Sequence, residues 1–191
     1  MPPSSTASTS NDTFHASDEI ELINAARQDS KAFGELYKKY VERVYRYLYS
    51  RVGNVQEAED ITAQTFLAAF ESFDRFREDD RFASWLFTIA RNKATDHFRK
   101  REISISMSST PDIPVDDDPL VPIIQSEQVA ALASLIQALP EDDQELLRLR
   151  FLAALSFPEI AYLLHRNEDT VKKSIYRLLA RLHSQLEVSN E

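Results

Sequence analysis

The sequence predicts an all-α protein, and two observations support this class. Apolar residues recur at i, i+3, i+4 and i+7 through most of the chain, which is the period of a helix with one buried face. Only two glycines, Gly34 and Gly53, occur in 191 residues, which disfavours sheets with many tight hairpins. The same scarcity argues against glycine-rich phosphate loops and dinucleotide-binding sites. There is no cysteine, so disulfides and zinc–thiolate sites are excluded.

Hydropathy and the amino-terminal sequence indicate where the protein is located. The net charge is −9, and no apolar run approaches the roughly 20 residues needed to span a bilayer. The amino terminus, MPPSSTASTSNDTF, lacks the basic and apolar stretches of a signal peptide. Together with the missing cysteines, these features predict a cytoplasmic protein without a membrane span.

The first part of the chain predicts a tail followed by a helical domain over 17–101. Residues 1–16 are rich in Ser, Thr and Pro, which predicts a disordered tail. Gly53 suits the position just after a helix, and Asn54 with Glu57 resembles a capping box that opens the next one. The helical patterns run over about 18–28, 31–51, 55–73 and 82–100.

An acidic segment separates this domain from a second helical domain, expected over 127–187. Residues 102–145 hold ten Asp or Glu and no Lys or Arg. Their first part, 102–126, contains four prolines and no helical period, so it predicts a flexible linker. Its acidic run at 116–118 lacks the alternating ligands and the glycine of a calcium site, and we expect no metal or cofactor. Helical patterns return at about 127–138, 141–152, 157–164 and 168–186.

The segment LSFPEIAYLLHRNEDTVKKSIYRLLARL has the layout of a helix-turn-helix unit. Ser156 and Glu159 predict a capping box with Pro158 in the first turn, and Asn167 predicts the cap of the second helix. That second helix has one apolar stripe. Its other face carries Lys172, Lys173, Tyr176, Arg177 and Arg181, and no acid follows Asp169 until Glu187. Such a helix fits the major groove of DNA, although the same pattern also describes a solvated basic face.

Two helices of the first domain carry further candidate surfaces. The pattern at 82–100 places Thr88, Arg91, Asn92, Thr95 and Arg99 on one polar face and Phe82, Trp85, Leu86, Ile89 and Ala90 on another. Trp85, Phe87 and Phe98 could stack on unpaired bases, although a place in the core is favoured for Trp85 and Leu86. The pattern at 55–73 leaves an outer face of Asp60, Gln64, Leu67 and Glu71. This face either docks a partner helix or is simply solvated.

These segments together resemble a bacterial sigma factor of the extracytoplasmic-function group in the sigma-70 family. EAEDITAQTFLAAFESFDRF resembles the helix that binds the polymerase clamp, and FASWLFTIARNKATDHFRKR resembles the minus-10 helix. LPEDDQELLRLRFLAALSFPEIAYLLHRNEDTVKKSIYRLLARL resembles the minus-35 helix-turn-helix. The resemblance implies two domains, called regions 2 and 4, that bind core RNA polymerase, direct it to promoters and help to open the minus-10 DNA.

The resemblance also implies partners and residue roles. The partners are promoter DNA, the clamp of the largest polymerase subunit and the flap of the second-largest; whether an anti-sigma protein also binds stays open. Polymerase binding would involve Asp60, Gln64, Phe66 and Leu67. Minus-10 binding would involve Phe76, Thr88, Arg91, Asn92, Asp96 and Arg99, with Phe76 in the loop that holds a flipped base. Minus-35 binding would involve Thr170, Lys172, Lys173, Tyr176, Arg177 and Arg181.

The chain departs from the family pattern at two turns. His165 and Arg166 stand where the family usually has a glycine and an apolar residue, and acids occupy 78–80 after Phe76. Other classes stay as alternatives. A stand-alone DNA-binding regulator would share the helix-turn-helix. An enzyme is disfavoured because the histidines are scattered, and neither a metalloprotease motif nor a nucleophile motif occurs.

Overall fold

The computed structural model of the chain describes residues 10–77, 81–107 and 127–189. Regular structure within these ranges is helical throughout, with no strand, which confirms the all-α class. None of the described helices is long and apolar enough to cross a membrane. The predicted acidic run at 116–118 lies outside the described residues.

The amino-terminal unit consists of four helices. They are α1 (Ser10–Gln28), α2 (Phe33–Val52), α3 (Val55–Ser72) and α4 (Phe82–Met107). Helix α2 packs against α3 and α4, and its buried stripe includes Leu36, Tyr40, Val44 and Leu48. Burial of such side chains stabilises a helix bundle by roughly 1.5–3 kcal/mol per large apolar residue. The apolar period therefore fixes which face of each helix turns inward.

Local sequence signals set several helix ends as predicted. Gly53 follows α2 with a φ of 71°, and its N–H donates to the Tyr49 carbonyl. Glycine tolerates this left-handed conformation because it has no Cβ. Asn54 caps α3, since its side-chain oxygen accepts a hydrogen bond from the Glu57 N–H at 2.9 Å.

Two helices extend beyond their predicted ends. Helix α1 begins at Ser10, so the prediction of a disordered tail through residue 16 is wrong for 10–16. Helix α4 continues to Met107, six residues into the predicted linker. Adding a residue to an existing helix is far easier than starting one, so a packed helix can extend past the residues whose pattern predicts it. The remaining tail and linker residues, 1–9 and 108–126, lie outside the described ranges.

The carboxy-terminal unit also has four helices. They are α5 (Glu127–Gln137), α6 (Glu141–Leu147), α7 (Phe157–Leu164) and α8 (Glu168–Ser189). The predicted single helix at 141–152 is instead an α-helix followed by a wider π-helical turn over Arg148–Leu152. In this turn the Ala153 N–H donates to the Arg148 carbonyl, five residues back. Ala154 then leaves the turn with a φ of 51°.

The helix-turn-helix unit forms as the sequence predicts. Ser156 and Glu159 make both hydrogen bonds of a capping box, with Pro158 in the first turn of α7. The Asp169 N–H donates to the Asn167 side chain at 2.9 Å at the start of α8. His165 ends α7 in the left-handed conformation, with a φ of 52°, where the family pattern has glycine. The unusual turn residues therefore keep the backbone bend that the glycine would serve.

The two units pack against each other, which the sequence did not predict. Helix α4 lies against α7, and α2 lies against the π-helical turn. Buried residues of both units form one continuous apolar cluster. Only surfaces that this contact leaves exposed are open to a partner in this arrangement.

Candidate polymerase and nucleic-acid interfaces

The basic face of α8 is fully available to a ligand. Val171, Ile175, Leu178 and Leu182 are buried and hold the helix on its unit. All six residues expected to contact minus-35 DNA lie on the exposed side: Thr170, Lys172, Lys173, Tyr176, Arg177 and Arg181. We call these six the basic face. Four cations and no carboxylate on one side of a cylinder suit phosphate contacts in a DNA groove.

An aromatic and cationic stack supports Tyr176 on this face. The Tyr176 ring is 55% exposed and lies 5.9 Å from the Phe157 ring, between centroids. The Arg150 guanidinium lies 4.7 Å from the centre of the Phe157 ring and donates a hydrogen bond to the Leu155 carbonyl at 2.8 Å. The Phe157 ring, held by Arg150, thus supports the Tyr176 ring from the side of the protein. The sequence pattern missed both, because the residues belong to three separate elements.

The polar face of α4 carries five of the six residues expected to contact minus-10 DNA. Arg91, Asn92, Asp96 and Arg99 are exposed and Thr88 is half-buried, whereas Leu86, Ala90 and Ala94 are buried on the opposite side. We call Thr88, Arg91, Asn92, Asp96 and Arg99 the polar face. Its charges are partly paired within the chain. Arg99 contacts Asp96 at 3.1 Å, and the Arg91 Nε lies 3.4 Å from the Glu145 Oε1 of the other unit.

The sixth residue, Phe76, differs from its expected role. Its side chain is only 3% exposed and belongs to an aromatic cluster with Phe73, Phe82 and Trp85, at centroid distances of 5.1–6.0 Å. A ring enclosed in this way offers no free face to a flipped base. Half-buried Trp85 belongs to the same cluster, which favours the core interpretation made for it. Phe98, by contrast, is exposed.

The outer face of α3 carries the residues expected to bind polymerase, with one exception. Asp60, Gln64 and Leu67 are exposed, and Leu67 has 58% of its surface free. Phe66 is instead buried, with the edge of its ring against Tyr37 at 4.8 Å, so it supports this face from within. Exposed Phe70 adds to the apolar surface; the helical period placed neither Phe70 nor Tyr37 outside. We call Asp60, Gln64, Leu67 and Phe70 the α3 outer face.

An apolar groove of about 410 Å³ opens between α5, α6 with its following π-helical turn, and α8. Its walls include Leu132, Ile136, Leu147, Phe151, Leu179 and Leu182. Leu179 of α8 is 37% exposed at the groove, although its spacing places it beside the buried Ile175, Leu178 and Leu182. A concave apolar surface of this kind fits the side chains of a partner helix.

A buried polar cluster joins the two units. Glu145, which is 6% exposed, accepts a hydrogen bond from the Tyr47 hydroxyl at 2.7 Å. Arg51, Arg91 and Arg148 approach the same carboxylate at 3.8, 3.4 and 3.8 Å. Burial, and then the neighbouring Glu145 carboxylate, raise the pKa of Tyr47 well above its usual range. Tyr47 is therefore a neutral hydrogen-bond donor at physiological pH.

Sequence comparisons identify both units. Residues 36–103 match the family described as Sigma-70 region 2, and residues 130–182 match Sigma-70, region 4. The chain is 36% identical over 168 residues to the ECF RNA polymerase sigma factor BldN of Streptomyces coelicolor, covering 85% of this chain and 64% of BldN. It is 31% identical over 180 residues to the RNA polymerase sigma factor NccH of Alcaligenes xylosoxydans xylosoxydans, covering 90% of this chain and 96% of NccH. The chain thus spans slightly less than two thirds of BldN but nearly all of NccH.

Solved structures show the same fold. CnrH, in complex with the cytosolic domain of CnrY, matches 88% of this chain and 97% of that chain, with a TM-score of 0.64 and 25% identity. The sigma factor RpoE of Bartonella quintana, in complex with the anti-sigma factor NepR, matches 83% of this chain and 98% of that chain. Its TM-score is 0.60 at 22% identity, which supports the fold alone.

Proposed function

Because this chain belongs to the extracytoplasmic-function group of the sigma-70 family, it is an alternative sigma factor that directs promoter recognition. We propose which of its surfaces contacts each promoter element and which contacts polymerase. The strongest support is the basic face of α8, whose four cations are all exposed. We propose that this face reads the minus-35 element, with Thr170 and Tyr176 near base edges and the cations on phosphates.

The polar face of α4 is proposed to bind the minus-10 element. Asn92 and Asp96 are exposed neighbours on one helical turn, and Arg91 and Arg99 flank them with positive charge. Amide and carboxylate groups can hydrogen-bond the edges of unpaired bases, while the arginines hold the backbone. Phe76 has no part in this proposal, because its ring is enclosed.

Two surfaces are proposed to hold polymerase. The α3 outer face combines Asp60 and Gln64 with exposed Leu67 and Phe70, a mixture suited to a helical partner such as the clamp. The apolar groove beside α8 is proposed to receive the flap. We further propose that 17–107 and 127–187 act as separate domains when polymerase holds them, with the linker beginning after Met107.

An anti-sigma protein is a further proposed partner. CnrH and RpoE have been solved with CnrY and NepR respectively, and this chain shares their fold. The site of action is proposed to be the cytoplasm, where bacterial RNA polymerase works. The protein is proposed to act by binding rather than by catalysis, as a transcription initiation factor.

The deciding experiment is run-off transcription with purified core polymerase on a genomic promoter library. We expect specific transcripts only when both the core enzyme and this chain are present. The chain without polymerase should leave no footprint on the same promoters. A footprint by the free chain, without any transcript from the complete mixture, would favour a stand-alone regulator and reject the proposal.

A further inference from the structure

The contact between the two units is built around a charged cluster rather than around apolar packing alone. Tyr47, Arg51 and Arg91 belong to the first unit, and Glu145 with Arg148 belongs to the second. Glu145 therefore supplies one carboxylate to three arginines, two of them across the contact. Glu141, which is largely exposed, assists at 2.6 Å from Arg148 and 3.9 Å from Arg51.

Hydrogen bonds to backbone carbonyls accompany the cluster. The Arg43 guanidinium of α2 donates to the carbonyls of Ala153 and Ala154 at 2.8 and 3.1 Å. The Ser84 hydroxyl of α4 donates to the Glu159 carbonyl at 3.0 Å. The contact therefore combines the ion cluster with hydrogen bonds to backbone carbonyls and with the apolar cluster that both units share.

The cluster is also incompletely satisfied. Among the described side chains, the Arg51 Nε and the Glu145 Oε2 are buried without a hydrogen-bond partner. A buried polar network that lacks some of its bonds contributes less than a complete one, because desolvation is not fully repaid. The net stabilisation that this cluster gives to the closed arrangement is therefore smaller than its number of contacts suggests.

The contact affects the polar face of α4. Arg91 is both a member of that face and a neighbour of Glu145. A small cavity of about 110 Å³ between the units is lined by Arg91, by Glu145 and by His165 and Arg166 of the helix-turn-helix turn. The Glu145 carboxylate lies on the Nε side of the Arg91 guanidinium, where a DNA phosphate would compete with it for the same positive charge. DNA that binds Arg91 from this side must therefore displace Glu145.

We propose that Glu145 is an internal latch, which holds the two units closed and occupies Arg91 in place of a nucleic-acid phosphate. Opening the latch frees Arg91 and Arg51 and separates the helix-turn-helix unit from the start of α4. This inference rests on the proposed role of the polar face in minus-10 binding. It adds an intramolecular competitor for DNA, located in region 4 itself.

The charge-neutral variant Glu145→Gln provides the main test. Glutamine keeps the size of the side chain and an acceptor for Tyr47, but it leaves Arg51, Arg91 and Arg148 without their shared carboxylate. Repulsion among these cations should then favour the open arrangement. The matched control is Glu42→Gln, which makes the same change of charge on an exposed part of α2.

The readout uses the absence of cysteine. Dyes on Glu59→Cys and Ser184→Cys, two exposed positions in different units, report the distance between the units by energy transfer. The same chains are also titrated with a fluorescent single-stranded oligonucleotide. This oligonucleotide carries the minus-10 segment of a promoter that run-off transcription has identified. We expect Glu145→Gln to lengthen the distance and to tighten oligonucleotide binding about tenfold, as when the open fraction rises from about a tenth to nearly all. Glu42→Gln should change neither.

Each other outcome counts against the proposal. An unchanged distance in a folded Glu145→Gln chain would refute the latch, and a longer distance with unchanged oligonucleotide affinity would refute its competition with DNA. If Glu145→Gln does not fold, Arg51→Gln replaces it, because Arg51 faces Glu145 across the contact and is not on the polar face. An unchanged distance in that variant would equally refute the latch. Failure of the wild-type chain to support transcription would reject the proposed function, while the distance measurement would still test the latch.

Discussion

The basic face of α8 and the polar face of α4 are both proposed to contact DNA, but their cations have different surroundings. Among the described ion pairs, none involves Lys172, Lys173, Arg177 or Arg181 on α8. On α4, Arg91 contacts Glu145 and Arg99 contacts Asp96. The number of positive charges on a helix therefore does not tell how much of that charge is free. The α8 face is ready to bind, whereas the α4 face must first give up acids of its own chain.

The same comparison explains how a chain of net charge −9 can bind DNA. At a Debye length of roughly 8 Å, a phosphate responds to the charges beside it rather than to the total. The few free cations on α8 still predict weak and salt-sensitive binding by the free protein. Polymerase adds affinity by holding both units on one template, which raises the effective concentration of the second contact.

Removing two free cations of α8 should have the largest effect. The double variant Lys173→Ala with Arg177→Ala should reduce minus-35-dependent initiation by about a hundredfold, since each contact contributes on the order of 1–3 kcal/mol. Run-off transcription and polymerase co-purification measure the two functions separately. His183→Ala, an exposed change on the same helix, is the control. Equal loss of co-purification would indicate misfolding rather than a lost DNA contact.

The α3 outer face offers a comparison with a surface that needs no DNA. The double variant Asp60→Ala with Leu67→Ala should reduce co-purification with core polymerase by roughly tenfold or more, because an exposed apolar anchor and its polar neighbour are lost together. Glu59→Ala, an exposed neighbour on α3, should bind as the wild type does. Undiminished binding of the double variant would remove these residues from the docking surface.

Phe157 tests how far the α8 face depends on its support. Phe157→Leu keeps an apolar side chain but removes the ring that contacts Tyr176 and Arg150. We expect initiation at promoters with a minus-35 element to fall about fivefold, as for the loss of one aromatic contact of about 1 kcal/mol. The separate variant Phe157→Tyr, which keeps the ring, should retain most of the wild-type activity. Equal activity of the Leu and Tyr variants would show that the ring does not position Tyr176.

The smallest expected effect concerns the turn that α2 contacts. Ala154 has a φ of 51°, a conformation that costs a residue with a Cβ roughly 1–2 kcal/mol. Ala154→Gly relieves this cost but adds freedom to the unfolded chain, so the free energy of unfolding should rise by only about 0.5 kcal/mol. Ala180→Gly, an exposed position within α8, should lower it by about 1 kcal/mol. Urea unfolding measures both, and a loss of stability at Ala154 would contradict the expectation.

The sequence predicted best what depends on near neighbours in the chain. The caps at Asn54, Ser156 and Asn167 and the exposed side of α8 follow from spacings of a few residues, and the structure has them all. The contacts that the resemblance implied for Phe66 and Phe76 are a different case. Helical spacing already groups Phe66 with the core side of α3, whereas the burial of Phe76 depends on rings of α4 and is seen only in the packed structure.

The contact between the units lay beyond any local pattern. Tyr47 and Glu145 are separated by 98 residues, and no local spacing in either segment indicates that the two side chains meet. The linker between the units gives no period to follow. A buried glutamate within an acidic segment also resembles a solvated one until the surrounding arginines are seen. The sequence therefore predicted the residues of each surface, but not that Glu145 of one unit lies against Arg91 of the other.

The wide turn at Arg148–Leu152 has a consequence for engineering this protein. An α-helix advances about 100° per residue, so deleting one residue here to restore a regular helix would rotate everything downstream by about that angle. Arg150 would then leave the Phe157 ring, and the α7–α8 pair would face a new direction relative to α6. A chimera that replaces this segment with the ordinary helix of a relative would therefore rotate the α7–α8 pair relative to α6. A fusion point after Ala154 should avoid it.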